Sequence, residues 1–248
     1  MIDLHSHIIP GIDDGAGTIE DSLEMARIAA ENGTRIVAAT SHGDFARVEP
    51  EEYVRYYVKK LVSLRKVLKK EGIPLKVAGG MELLVNEELL RYAQEHPLPA
   101  INGGRYILVE FRFDVSADLA EKSLDRLRGI GWKLVLAHPE RYDFIRRDPS
   151  RARALYRAGT VLQINKGSLS GAFGRLASRA ADQMLREGIA GVVASDAHDP
   201  VLRTIDLEDT AAILDLYYGS DASRILLKRN PYRILSSEPF RRDASWGA

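Results

Sequence analysis

The 248-residue chain contains no cysteine. That single absence excludes a disulfide framework, a thiolate zinc site and a cysteine nucleophile. No apolar run approaches the roughly 20 residues of a membrane-spanning helix. The start, Met1-Ile2-Asp3-Leu4-His5, lacks the basic segment and apolar core of a secretory signal. Neither sign of charge is in excess: 35 Lys and Arg balance 35 Asp and Glu. Nothing global therefore draws the chain to nucleic acid or to an anionic membrane. A cytoplasmic enzyme or binding protein is expected, with no nucleic-acid partner and no membrane insertion. Linkers rich in Pro, Gly and Ser are also missing. One domain over residues 1–235 is expected, with a loose tail over 236–248; the sequence carries no signal for an oligomeric state.

What the chain does contain is a recurring unit. Short apolar runs at 2–4, 36–40, 75–78, 106–109, 133–137, 161–164 and 191–194 read as strands. Longer amphipathic stretches follow them, at 18–32, 51–70, 86–95, 117–130, 149–158, 175–187, 205–218 and 221–227. Strands that are apolar throughout, joined by helices, predict a parallel sheet covered on both faces. Two closures satisfy that rhythm: an open doubly wound sheet, or a (β/α) barrel with seven strands.

The polar residues favour the barrel, in which strand C-termini gather around one axis. His5, His7, Asp13 and Asp14 follow the first run, and His42 the second. Glu82 follows the third and Glu110 ends the fourth. His138 and Arg141 follow the fifth, Asn165 and Lys166 the sixth, Asp196 and His198 the seventh. Five of the six histidines lie in this set; His96 follows no strand and reads as a surface residue. His5-Ser6-His7 on an extended segment aims both imidazoles the same way. Asp13-Asp14-Gly15 alone would be an ordinary turn, and Glu110 ends an apolar strand, where an unpaired carboxylate is costly. Four carboxylates aimed at one small volume repel one another, and divalent cations remove the conflict. Mixed imidazole and carboxylate ligation suits Mn²⁺, Fe or Zn²⁺. Nine candidate ligands exceed the four to about six that one ion takes, so two or three ions are expected.

These residues resemble the ligand series of the PHP (polymerase and histidinol phosphatase) superfamily. More closely, the chain is similar to the metal-dependent protein-tyrosine phosphatases of bacterial capsule and exopolysaccharide loci. The matching stretches are residues 1–7, Asp13-Asp14-Gly15, Ala137-His138-Pro139-Glu140-Arg141-Tyr142, Gln163-Ile164-Asn165-Lys166-Gly167-Ser168-Leu169 and Ala194-Ser195-Asp196-Ala197-His198. The resemblance implies a distorted seven-stranded (β/α) barrel of the TIM-like PHP fold, with a trinuclear site in which Mn²⁺ is the first expectation. His5, His7, Glu82 and Asp196 would hold one ion. Glu82, Glu110 and His138 would hold a second, and Asp14, His42 and His198 a third. Arg141 and Arg203 match positions that grip phosphate. Some relatives carry His or Arg where this chain has Gly43, so no substrate contact is expected there.

The implied reaction is hydrolysis of a phosphomonoester by metal-activated water. The implied partner is a phosphotyrosine protein, a tyrosine autokinase controlling polysaccharide export. A phenolate leaving group, with a free pKa of about 10, needs less acid assistance than an alkoxide. Three alternatives share the ligand set: a histidinol-phosphate phosphatase, a PHP-type nuclease, and a metal-binding regulatory module without catalysis. Zero net charge weighs against the nuclease.

Overall fold

Every strand pairing in the computed structural model is parallel, and residues 1–240 are described. The strands are β1 (Ile2–Ser6), β2 (Ile36–Ala39), β3 (His42–Gly43), β4 (Lys76–Gly79), β5 (Glu82–Leu84), β6 (Tyr106–Glu110), β7 (Lys133–Ala137), β8 (Val161–Asn165) and β9 (Ala190–Ala194). Helices cover the sheets, and Ile107, Val109, Leu134, Leu136, Leu162 and Ile164 pack beneath them in the main core. The parallel α/β class thus follows the sequence pattern.

The closure differs from expectation. Pairing does not run as one seven-stranded barrel but divides into a three-stranded sheet, β1-β2-β4, and a six-stranded sheet, β3-β5-β6-β7-β8-β9. The division arises because each of the second and third expected strands, 36–40 and 75–78, is followed after a short gap by a further strand not expected from the sequence. β2 stops at Ala39 and resumes as β3; β4 stops at Gly79 and resumes as β5. Backbone groups freed at the breaks still find partners, as buried ones must. Thr40 donates to the Ser6 carbonyl at 2.8 Å, and the Glu82 amide lies 3.2 and 3.1 Å from the carbonyls of Thr40 and Ser41. Tyr57, on the helix Pro50–Lys70, stitches both breaks: its hydroxyl donates to Ala39 O at 2.7 Å and accepts from the Gly80 amide at 2.9 Å. The two sheets meet again beyond β9, where Ser6 bridges Ala197 and the His7 amide donates to Ala197 O at 2.8 Å.

A smaller apolar cluster, including Leu4, Ala38, Ala78, Leu108, Val135, Val161 and Val192, fills the interior below the strand C-termini. Alternate residues share a face, so Glu110 follows Leu108 upward and Gln163 follows Val161. A polar layer is thereby laid over an apolar plug. The β1 register shifts between Asp3 and Ser6, an irregularity of the kind that re-aims side chains beside functional sites.

The end of the chain also departs from expectation. Residues 236–240 are tied down: Ser237 Oγ accepts from the Arg105 amide, and Tyr106 Oη donates to Glu238 O and accepts from the Phe240 amide. The remainder of the expected loose tail, 241–248, lies outside the described residues.

Candidate metal centre

Above the apolar plug, β1 and the segment after it deliver His5 and His7, both fully buried. Each imidazole is oriented from behind. His5 Nδ1 lies 2.8 Å from Gln163 Oε1, and His7 Nδ1 lies 2.8 Å from Asp13 Oδ2. Both partners are acceptors, so Nδ1 carries the hydrogen and Nε2 is left with its lone pair. The two Nε2 atoms face each other at 3.3 Å. Glu82 Oε2 completes the group at 3.2 and 3.3 Å from them, and Asp196 Oδ1 at 3.3 and 3.4 Å. Four electron-rich atoms in contact are repulsive unless a cation lies between them. A tetrahedral ion with bonds of about 2.0–2.1 Å separates its ligands by roughly 3.3–3.4 Å. The residues present therefore fit a metal ion, in chemistry and in spacing.

Two further groups adjoin this one. His7, Asp14, His42 and His198 present ligand atoms within 4.8 Å of one another, and so do His42, Glu82 and Glu110. His42 faces both: its Nε2 is 3.4 Å from Asp14 Oδ1, while its Nδ1 is 3.1 Å from Glu82 Oε2 and 2.9 Å from Glu110 Oε1. His138 Nε2 is 2.8 Å from Glu82 Oε1 but 3.9 Å from Glu110 Oε2. The grouping is thus close to the resemblance but not identical to it. His42 rather than His138 stands nearest Glu110, and His7 joins the third set. Glu82 Oε2 is buried without a hydrogen-bond donor, although three imidazole nitrogens lie within 3.3 Å.

Local backbone geometry serves the cluster. His138 and Asp196 hold positive φ, 35° and 51°, a region in which residues other than glycine are strained and which recurs at functional sites. Gly15 has no tolerable substitute: a Cβ there would fall 2.2 Å from His7 O. That approach seats the Asp13-Asp14 turn against His7. Asp13 also accepts from the His42 amide at 3.0 Å.

Without cations, protons carry the compensation. Burial opposes charge on His7, but Asp13, Asp196 and Glu82 outweigh it and hold its pKa well above the ordinary value. His42 is likewise desolvated, yet Glu110 and Glu82 push it up to about 10. Glu82 is buried too, but the surrounding imidazoles hold it well below the usual carboxylate range. His198 moves the other way, to about 4, through burial and the neighbouring His7. Divalent ions supply the same compensation and displace those protons on binding.

Asp196 Oδ2 faces away from the histidines and collects three donors. Asn165 Nδ2 and Arg203 Nη2 each lie at 2.7 Å, and Arg141 Nη1 at 3.5 Å. The Arg141 guanidinium sits between the rings of Phe113 and Phe173, 4.4 and 4.2 Å from their centroids, a stack that fixes its plane. Phe173 comes this close because residue 167 is glycine; a Cβ there would meet its ring at 2.6 Å. Arg203 Nε is buried with no acceptor.

Other strand-end residues divide. Asn165 orients Asp196, whereas Lys166 turns away to Thr204 Oγ1 and Asp206 O, at 2.8 and 2.7 Å. His96 stacks on Tyr92 and belongs to none of the ligand groups. Gln163 and Glu140 were not singled out by sequence reasoning. Gln163 links His5 to Asn165. Glu140, fully buried, accepts from the Asn165 amide and from Ser168 Oγ. The signal for Gln163 was a polar residue within the apolar run of β8.

A family model described as capsular polysaccharide synthesis, CpsB/CapC, matches residues 1–236. The chain belongs to this family. It is 35% identical over 242 residues to the tyrosine-protein phosphatase YwqE of Bacillus subtilis, covering 97% of this chain and 94% of that protein. It is 29% identical over 244 residues to the tyrosine-protein phosphatase CpsB of Streptococcus pneumoniae, covering 96% and 99%. A solved structure from a study of these two proteins, described as unique metal-dependent tyrosine phosphatases, superimposes with a TM-score of 0.88 at 35% identity over 98% of both chains. A lactonase from Listeria monocytogenes, 11% identical with a TM-score of 0.55, shares the fold alone. Among the described residues no helix is long and apolar enough to cross a membrane.

Proposed function

We propose that this chain is a metal-dependent phosphomonoester hydrolase acting on phosphotyrosine in a protein partner. The observation that carries the reading is the placement of two guanidinium groups, Arg141 and Arg203, on the far oxygen of a carboxylate whose near oxygen faces two metal-ready imidazoles. Metal-type ligands alone would serve many reactions; arginines on their rim select a phosphoryl group. Membership in the CpsB/CapC family supports the same reading.

His5, His7, Glu82 and Asp196 would hold one ion; Glu82, Glu110 and His138 would serve a second, and Asp14, His42 and His198 a third, since each neutral imidazole has one lone pair to give. Mn²⁺ is our first choice, with Fe or Zn²⁺ compatible with the donor set. Divalent ions bound there supply Lewis acidity toward phosphoryl oxygens and lower the pKa of water toward neutrality. Arg141, locked between two phenyl rings, presents its edge to nonbridging oxygens. Arg203, about one-third exposed beside Asp196, takes another. Phe113, 42% exposed beside Arg141, gives an aromatic substrate side chain an apolar wall. Gln163, Asn165 and Asp13 hold the ligands in orientation. The polypeptide partner is read as a cytoplasmic tyrosine autokinase of polysaccharide export. The two sheets, bridged at Ser6 and Ala197, are read as one distorted seven-stranded barrel.

Parallel assays of the Mn²⁺-loaded protein on a phosphotyrosine peptide, histidinol phosphate and single-stranded DNA test the substrate class. The phosphotyrosine peptide should lead in kcat/KM by about tenfold or more. Histidinol phosphate leading by that margin would overturn the assignment. Arg203→Ala should lower kcat/KM by about 10–100-fold, since it removes one charged contact to phosphate. Its metal content should stay unchanged, measured by elemental analysis; loss of metal would reassign Arg203 to holding Asp196.

A further inference from the structure

The face opposite the metal-type cluster holds a cavity of about 510 Å³. Ile2 and Ile36 lie at the N-terminal ends of β1 and β2, whereas the candidate ligands follow the C-terminal ends. A five-residue strand separates the two faces by roughly 16 Å. The wall is built by the helical run from Ala222 to Leu235, whose middle turn, Ile225–Arg229, is a π-helix.

The wide turn has a local cause. Pro231 cannot donate and its ring crowds the carbonyl four residues back; the Asn230 amide reaches instead to Ile225 O, five residues back. Side chains five apart on a regular α-helix point about 140° away from each other. The π turn draws one such pair, Arg224 and Arg229, toward one face. Wide turns of this kind recur at functional sites.

The resulting rim is strongly cationic. Among the described residues, Arg35, Arg224, Lys228, Arg229 and Arg233 line the cavity together with one carboxylate, Glu238. Arg224 is paired with Asp221 at 2.9 Å and Arg35 donates to Ala30 O at 3.0 Å. Lys228 and Arg233 have no acidic partner among the described residues. Inside the rim, Ile2, Ile36 and the ring of Tyr232 offer an apolar floor. Like charges gathered on one rim raise the local positive potential and draw anions toward it.

From this cavity we infer that the chain has a second ligand site, on the N-terminal face of its strands, for a small anion of the nucleoside diphosphate class. Adjacent phosphates match the cluster of guanidinium and ammonium donors. A flat ring fits against Ile2, Ile36 and Tyr232. The cavity's volume lies within the usual range of small-molecule pockets, about 300–1,000 Å³.

Calorimetric titration of the metal-loaded full chain with UDP, ADP and inorganic pyrophosphate tests the site, alongside the variants Lys228→Glu/Arg233→Glu and Tyr232→Ala. At least one nucleotide should bind with a Kd of about 10–100 µM, and pyrophosphate about tenfold more weakly. The double charge reversal should weaken nucleotide binding by about thirtyfold or more while phosphotyrosine hydrolysis is unchanged. Tyr232→Ala should weaken the nucleotide by about tenfold and leave pyrophosphate unaffected. Equal nucleotide affinity in the parent and the double variant would place the ligand elsewhere and overturn the proposal. So would pyrophosphate binding as tightly as either nucleotide. Capture by phosphatidylglycerol vesicles with no saturable nucleotide binding would replace the site by a membrane contact.

Discussion

Asp196→Asn is expected to leave a folded protein that has lost phosphotyrosine hydrolysis by about 10³-fold or more in kcat/KM, an effect of about 4 kcal/mol. Asparagine preserves the shape and tolerates the positive φ of 51° at this position. Its amide, however, cannot serve both sides. The far atom receives donors from Asn165 and Arg203, so the amide oxygen must stay there. The NH₂ then turns toward His5 and His7 and donates to their Nε2 lone pairs, where a cation would otherwise bind. Elemental analysis should show metal content reduced together with activity. Activity near the parent level at full metal content would mean that Asp196 is not a ligand.

Glu82→Gln should be at least as severe. Glu82 lies within 3.3 Å of His5, His7, His42 and His138, and it is the carboxylate shared by two of the three ligand groups. Loss of its charge should depress kcat/KM by about 10³-fold or more and lower metal stoichiometry by more than one ion. The metal-free protein should also suffer. A fully buried carboxylate among protonated imidazoles is a buried ion pair, and removing one side costs about 3–5 kcal/mol. Urea unfolding of the metal-free variant should register that loss. A variant that is destabilised but fully active once metal is restored would assign Glu82 to structure alone.

Much of the candidate centre was legible because a parallel βα chain puts its chemistry at strand ends. His5, His7, Glu110, His138 and Asp196 each terminate or follow an apolar run, and the structure brings them to one place. What the sequence could not convey was which group each imidazole faces. His42 has two nitrogens turned to two different carboxylate sets, and that depends on the turn at Gly15 and on Asp13. Gln163 was hidden inside an apolar strand, while Glu140 stood in plain view between His138 and Arg141 without a visible partner. The further strands after the second and third were illegible for another reason. β3 and β5 are two and three residues long, too short to show any periodicity, and the hydroxyl that satisfies the broken ends comes from Tyr57 on a distant helix. The π turn before Pro231 likewise depends on a backbone bond that composition does not reveal.

The zero net charge was uninformative as a total. It conceals a carboxylate-rich centre at one end of the strands and a cationic cavity at the other.

Catalysis should depend on metal ions held by the His, Asp and Glu cluster. Titration of Mn²⁺ into thoroughly chelated protein, with hydrolysis of a phosphotyrosine peptide and bound metal measured on the same samples, tests it most directly. Activity should be absent in the chelated protein and rise with occupancy to a plateau at two or three ions per chain. Full activity in the chelated protein, at negligible metal content, would show that hydrolysis does not need the ions.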